Sequence, residues 1–229
     1  MAISISPSFR DSKLDSPSID DVIDVYEDRV RNWLLAPAKV LLEQEHCEPA
    51  AFCILLTYFE GACSYARCQS SKNRSKEFFS RGFVDVFKSS NVPETLLLRV
   101  GELLYSDARC GFFHDGMFRE RVYFAEMNRD IVVTLPKKDG VLDFQGEIAS
   151  VLIDVRRCYS AVLRHFDAAI TRLRDHQSVP ERDAFVGFFK SQCDWEKVGP
   201  VIGLHEPTAQ NCERALAGGR QNAADFAVR

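Results

Sequence analysis

An arginine and a histidine five positions apart carry the clearest chemistry in this sequence. They are Arg109 and His114, at the end of an apolar, helix-like run that stops at Gly116. Arginine holds phosphate oxygens with a planar fork of donors, and histidine takes up or releases protons near neutral pH. Together the two side chains have the chemistry to promote attack of an RNA 2′-oxygen on the adjacent phosphorus without a metal ion.

The spacing of this pair sets a geometric condition. Positions five apart on an ideal α-helix differ by ~140° in direction, so the two side chains would point to different sides. They converge if the helix is distorted near Gly111 or Gly116, or if Arg109 of one chain meets His114 of another across a two-fold axis. A symmetric dimer would also supply two histidines, one as acid and one as base.

Other side chains are candidates to support this pair. Glu60 lies within an apolar helical pattern, where an unpaired charge is costly, so we expect it to orient Arg109. Asp115 is a weaker candidate for orienting His114. Tyr105 and Phe113 are candidates to stack on a base. The best basic cluster, and the candidate RNA-binding surface, comprises Lys72, Arg74, Lys76 and Arg81.

Each of these features also has a purely structural interpretation. His114 would hydrogen-bond the last carbonyls of its helix, and Arg109 would pair with Asp107 or Asp115 or lie on the surface. The basic cluster would be a solvated face, and the aromatic side chains would belong to the core. Cys110 is a poor candidate nucleophile because it lacks a glycine-rich turn. No phosphate-binding loop, dinucleotide fingerprint or His-Glu-x-x-His motif occurs, so no metal or cofactor is expected.

Composition indicates a globular protein and limits where RNA would bind. The chain has 229 residues, of which 46% are hydrophobic and 27% charged, and its net charge is −4. RNA contacts would therefore come from a local basic patch. No secretory h-region and no apolar run of the ~20 residues that span a bilayer are evident. The eight cysteines form no Cys-x-x-Cys pair, which indicates reduced thiols in a cytoplasmic protein without membrane contact.

Hydrophobic periodicity predicts a mainly α fold, an antiparallel bundle of about five helices with a small β-meander insertion at 121–144. Residues 1–17 are rich in serine and predict a flexible arm, and 18–191 form the helical domain. The segment 192–229 is expected to be irregular or partly disordered. The predicted helices are 19–42, with an end or a kink near Pro37, then 48–71, 75–89, 93–116, a long helix over 146–176 and a shorter one after Pro180.

The stretch DARCGFFHDGMF resembles the Arg-x(4–6)-His signature of the HEPN superfamily, the higher eukaryotes and prokaryotes nucleotide-binding domains. The match is Arg109, four intervening residues and His114. The position of Glu60 in helix two, the signature at the end of helix four and the long helix that follows are similar to HEPN bundles. The likeness covers roughly residues 19–176.

The resemblance implies a choice of functions. Many HEPN proteins are metal-independent ribonucleases that act as dimers with facing signature helices, often in toxin or defence systems, which implies an antitoxin-like partner. Others are inactive and bind a nucleotide or a protein. Active members commonly carry Asn or Asp after the arginine, where this chain has Cys110. That residue and the net negative charge favour the inactive alternative, whereas the basic cluster favours RNA. A third alternative is a structural dimer built on the 146–176 helix.

Overall fold

The computed structural model describes residues 4–89 and 91–193 and shows a mainly helical protein with a small β region. The prediction for 192–229 therefore falls almost entirely outside the described residues. The class predicted from periodicity is confirmed at this level. The helices are α1 Ile19–Arg29, α2 Ala36–Leu42, α3 Glu48–Arg67, α4 Ser75–Phe87, α5 Glu94–Leu103, α6 Val155–Arg174 and α7 Val179–Gln192.

Two helices continue into π-helical backbone. The segment Val30–Leu35 joins α1 to α2, so the helix passes Pro37 without ending there. The segment Leu104–Asp115, called the π segment below, extends α5 up to Gly116. Gly116 has a left-handed backbone with φ of 72°, as its predicted place at the helix end requires.

The helix α1 begins with a capping box at Ser18. The Ser18 hydroxyl accepts a hydrogen bond from the Asp21 backbone N–H at 3.1 Å, and the Asp21 carboxylate accepts one from the Ser18 N–H at 2.9 Å. This reciprocal pair satisfies two of the N–H groups that a helix start leaves without partners.

The core is built around α3 and α4. Gly82 lets these helices approach closely, because a Cβ there would lie 1.9 Å from the carbonyl oxygen of Phe59. The ring of Phe59 packs edge-on against Phe79 and Phe83 of α4. On the other side of α4, a Cβ at Gly101 of α5 would lie 2.9 Å from the Cα of Ser80. The fold therefore holds α3, α4 and α5 in fixed mutual positions.

The predicted β-meander is wrong. The strands are β1 Val122–Phe124, β2 Ile131–Thr134, β3 Lys137–Lys138, β4 Val141–Leu142 and β5 Ser150–Ile153. The order in the main sheet is β1-β5-β2, with β1 parallel and β2 antiparallel to β5, and β3 and β4 form a separate hairpin. The inserted β region therefore extends beyond residue 144, and its central strand comes last in the chain.

The long helix also starts later than predicted, at Val155 and not near residue 146. Ile148, Leu152 and Val155 fit helical spacing, but the strand β5 alternates between buried and half-buried positions. Periodicity alone cannot assign so short an apolar run. Asp154 marks the start of α6, because its carboxylate accepts a hydrogen bond from the Arg157 backbone N–H at 3.1 Å and caps the helix.

The N-terminal segment packs against α1, which differs from the flexible arm that its composition predicts. The Asp28 carboxylate accepts hydrogen bonds from the backbone N–H and the hydroxyl of Ser8, at 2.8 and 2.9 Å. Arg29 Nε donates to the carbonyl of Ile5 at 2.7 Å, and Leu14 is buried. These contacts hold the segment against α1, although its serine-rich composition is typical of flexible, solvent-exposed segments.

Among the described residues, no helix combines the length and apolar character needed to cross a bilayer.

Candidate functional site

The π segment brings Arg109 and His114 to one side of the helix. In π-helical backbone the N–H of residue i+5 bonds to the carbonyl of residue i, so side chains five apart lie closer in direction than the ~140° that separates them on an α-helix. Arg109 and His114 have this separation and both lie within the segment. Both line a single open cleft. For Arg109 and His114 to converge within one chain, the helix must depart from α geometry. The π backbone provides this departure over the whole of Leu104–Asp115.

Contacts from the following loop hold the π segment in place. The buried Asp107 carboxylate pairs with Arg121 at 2.8 Å, and its carbonyl accepts from the Arg119 backbone N–H at 2.9 Å. The loop also crosses close to Gly111, where a Cβ would lie 2.8 Å from the carbonyl oxygen of Met117. Only glycine leaves room for this crossing.

The cleft has a volume of ≈ 530 Å³ and lies between α3, the π segment and α7. This volume is within the range of small-molecule sites, about 300–1,000 Å³. Gly61 leaves its floor open, because a Cβ there would meet nothing within 4 Å. Its lining residues are Thr57, Glu60, Gly61, Ser64, Tyr65, Ser71, Arg109, Phe113, His114, Phe188 and Gln192.

Glu60 fixes the position of Arg109. A guanidinium nitrogen of Arg109 lies 3.3 Å from a Glu60 carboxylate oxygen, and the guanidinium carbon lies 5.0 Å from the centre of the Tyr105 ring. The other Glu60 oxygen accepts from the Ser71 hydroxyl at 2.7 Å. The Arg109 side chain is 31% exposed, so part of its five-donor fork faces the cleft.

His114 lies exposed at the edge of the cleft, and its imidazole has no hydrogen-bond partner among the described residues. Asp115 does not reach it, because its carboxylate pairs with Arg119 at 3.1 Å. Asp107 pairs with Arg121, so neither acid partners Arg109 as the structural interpretation supposed. The structure brings Glu60, Arg109 and His114 together and leaves Asp115 outside the group.

Acidic partners neutralise most of the basic cluster. Arg74 pairs with Glu77 at 2.8 Å, Lys76 lies 3.7 Å from Glu102, and Arg81 lies 3.1 Å from Glu94. Within the described residues Lys72 has no ion-pair partner, and it directly follows Ser71 at the cleft. The cluster is therefore a weaker source of positive potential than its sequence suggests.

The two aromatic candidates have different surroundings. Tyr105 packs edge-on against Phe79 and stacks on Arg109, so its ring belongs to the support of the site. Phe113 is 58% exposed and lines the cleft. Cys110, a free and half-buried thiol, does not line it. Of the two, Phe113 is the ring placed to stack on a bound base.

Several cleft residues carry no signal in the sequence. Gly61, Ser64 and Tyr65 lie on one side of α3 that joins the cleft only because α7 and the π segment pack beside it. Ser71 meets Glu60 because the chain turns back after α3, where Cys68 adopts a left-handed backbone with φ of 51°. The turn places residues eleven positions apart in contact, which helical periodicity does not predict.

Comparisons with known proteins give no relative. No family model, no curated protein and no solved structure matches this chain.

Proposed function

We propose that this protein is a metal-independent RNA endonuclease of HEPN type, in which the helices between residues 19 and 176 correspond to the family's antiparallel bundle. The observation that supports the proposal is that Arg109 and His114, with Glu60 behind the arginine, line one open cleft. A cationic fork beside an accessible imidazole is the minimum set for cleaving a phosphodiester through its own 2′-oxygen.

In the proposed reaction the 2′-oxygen forms a bond to phosphorus as the bond to the 5′-oxygen breaks, which leaves a 2′,3′-cyclic phosphate. His114 accepts the 2′ proton as general base, and an imidazolium returns a proton to the departing 5′-oxygen. Arg109 binds the non-bridging oxygens and stabilises their extra negative charge in the transition state. Phe113 stacks on a flanking base, and Lys72 contacts the next phosphate along the strand.

A homodimer would supply the second imidazole for this reaction. An apolar groove lies next to the cleft and includes the exposed rings of Trp33 and Phe113. Exposed apolar surface of this kind is typical of protein interfaces, which supports self-association there. A cytoplasmic toxin or defence role, with an antitoxin-like protein partner, follows only from the resemblance to HEPN proteins.

The alternative is an inactive HEPN-like module that binds a nucleotide or a protein. Two observations favour it. The acidic partners of Arg74, Lys76 and Arg81 reduce the local positive charge that RNA binding requires. Cys110 also stands where active HEPN proteins commonly carry Asn or Asp.

The test is cleavage of a fluorescently labelled single-stranded RNA in excess EDTA. The wild-type protein is compared with His114→Ala and with His46→Asn, a histidine control that keeps a residue tolerant of the left-handed backbone at φ of 62°. The proposal predicts 2′,3′-cyclic phosphate ends from the wild type and the control, and loss of at least about 100-fold in rate for His114→Ala. Equal rates for all three proteins would contradict it.

A further inference from the structure

A second cavity shares the lining residue Tyr65 with the proposed catalytic cleft. It has a volume of ≈ 360 Å³ and is enclosed by α1, α3, α6 and α7. This volume is within the range of small-molecule sites, about 300–1,000 Å³. The rings of Tyr26, Tyr58, Tyr65 and Phe185 line it, so a planar ligand would have aromatic walls.

Tyr26 provides a potential hydrogen-bond donor in the wall of this cavity. Tyr26 is 7% exposed, and no hydrogen bond to its hydroxyl occurs among the described residues, although its ring packs 4.5 Å from that of Tyr65. Burial raises the pKa of Tyr26 well above its ordinary value, so the group stays a neutral donor. A bound acceptor such as a carboxylate would give this donor a hydrogen-bond partner.

A tyrosine–histidine pair forms another polar part of the wall. The Tyr58 hydroxyl lies 2.8 Å from Nδ1 of His165, at hydrogen-bond distance. Burial lowers the pKa of His165, which keeps the imidazole neutral at pH 7. The wall of the cavity therefore includes uncharged polar groups, which suit a ligand with polar atoms at the edge of a ring.

The charged side chains of the cavity favour an anion. Arg67 and Arg172 line it, and Glu181 is the acidic residue among its lining groups. Arg172 lies 4.0 Å from Glu181, at the limit of an ion pair, while Arg67 lies over the ring of Phe78. With two cations against one anion, the net positive charge of the wall matches a single negative group on a ligand.

We propose that this cavity is a binding site for a small planar aromatic carboxylate. The ring lies between Tyr26, Tyr65 and Phe185, and the carboxylate accepts hydrogen bonds from the Tyr26 hydroxyl and the Arg172 guanidinium. The site is separate from Arg109 and His114 and does not depend on the proposed ribonuclease activity. Tyr65 lines both the cavity and the cleft, so the ligand would contact a shared wall of the catalytic site.

The first test measures binding of 2-naphthoate to the full-length protein by isothermal titration calorimetry, beside the neutral analogue 2-naphthamide. The proposal predicts saturable one-to-one binding of the naphthoate and at least tenfold weaker binding of the amide. Arg172→Gln should weaken naphthoate binding at least tenfold and leave amide binding unchanged. Absence of saturable naphthoate binding, or equal affinity for both compounds, would overturn the proposal.

A matched pair of variants locates the site. Ala169→Phe fills the cavity from α6, whereas Ala168→Phe places the same ring on the neighbouring exposed position. Naphthoate binding should disappear only in Ala169→Phe. If that variant does not fold, Tyr26→Phe removes the unpartnered hydroxyl alone and should weaken binding at least threefold. Binding to Gly61→Leu, which obstructs the cleft, should match the wild type, and loss of binding there would place the ligand in the cleft instead.

Discussion

Glu60 is the residue on which the position of Arg109 depends. Its carboxylate contacts the Arg109 guanidinium on one side and the Ser71 hydroxyl on the other. In the proposed reaction, an arginine held in this way would lose little conformational entropy on binding phosphate, because its rotamer is already fixed. The Glu60 carboxylate would also compete with a bound phosphate, because both groups attract the Arg109 guanidinium.

Replacing Glu60 by Gln should slow RNA cleavage about tenfold, because the amide keeps a hydrogen bond but no longer attracts the guanidinium. The free energy of unfolding should change by less than about 1 kcal/mol, since the pair is partly exposed. Cleavage rates and urea denaturation measure the two effects. Glu27→Gln, a carboxylate that pairs with Arg31 and Arg174 and does not line the cleft, is the control and should leave cleavage unchanged. An unaltered rate for Glu60→Gln would remove Glu60 from the site.

Gly61 offers a steric test of the cleft. Replacing it by Leu should preserve the fold, because a Cβ there meets nothing within 4 Å and leucine is a better helix former than glycine. The added side chain would occupy the floor of the cleft and lower cleavage by at least tenfold. Gly187→Leu, at an equally open glycine of α7, is the matched control. If the two variants cleave RNA at equal rates, the reaction takes place elsewhere.

The Glu60–Arg109 contact shows how far sequence reasoning reaches at the scale of single residues. A carboxylate within an apolar helix needs a partner, because an unpaired buried charge is costly, and this allows the contact to be predicted from the sequence. The other expected contact, between Asp115 and His114, does not form because Arg119, four residues after Asp115, pairs with it. The sequence does not show whether Asp115 pairs with His114 or with Arg119, because the choice depends on the path of the loop that carries Arg119.

At the scale of elements, the π segment decides whether Arg109 and His114 share a side of their helix. Apolar spacing predicts a helix over this region and Gly116 predicts its end, but the pattern does not distinguish α from π backbone. The loop that follows supplies the missing constraint, through Asp107, Arg121 and the close crossing at Gly111. The strand β5 is a comparable case, because its short apolar run fits either period.

Gly111→Ala tests the role of this crossing. The added Cβ would lie 2.8 Å from the Met117 carbonyl oxygen, so the loop must move. We expect a loss of about 1–3 kcal/mol in unfolding free energy and a fall in cleavage rate, because the support of the π segment shifts. Gly187→Ala should instead stabilise the protein by about 0.5–1 kcal/mol. Chemical denaturation of both variants measures the two changes. Unchanged stability in Gly111→Ala would contradict the prediction, because it would mean that the loop moves away from the added Cβ without cost.

At the scale of the whole molecule, buried polar pairs make stability depend on pH. Burial holds the pKa of His165 below its ordinary value of 6.5. The unfolded chain therefore binds a proton at this residue at a higher pH than the folded protein does. Stability from this source is complete above pH 6.5 and is lost as the pH falls toward the lowered folded pKa.

His165→Gln removes this titration. The variant should be less stable than the wild type at pH 7.5, because it loses the contact with Tyr58, and the difference should shrink at pH 5.5. Urea denaturation at both pH values measures the change. Thr171→Ala, which removes an exposed hydroxyl from the same helix, is the control and should change stability equally at both pH values. A stability difference that is the same at both pH values would contradict the assigned direction of the His165 pKa shift.

The most direct measurement of the central claim is a double-mutant cycle of RNA cleavage in EDTA with Arg109→Gln, His114→Ala and the combined variant. If the two residues act as one unit in a shared cleft, each single variant should lose about 10²–10⁴ in rate, and the combined variant should be no slower than the slower single by more than about threefold. Losses that multiply in the combined variant, or a wild-type protein that cleaves no RNA, would contradict the account.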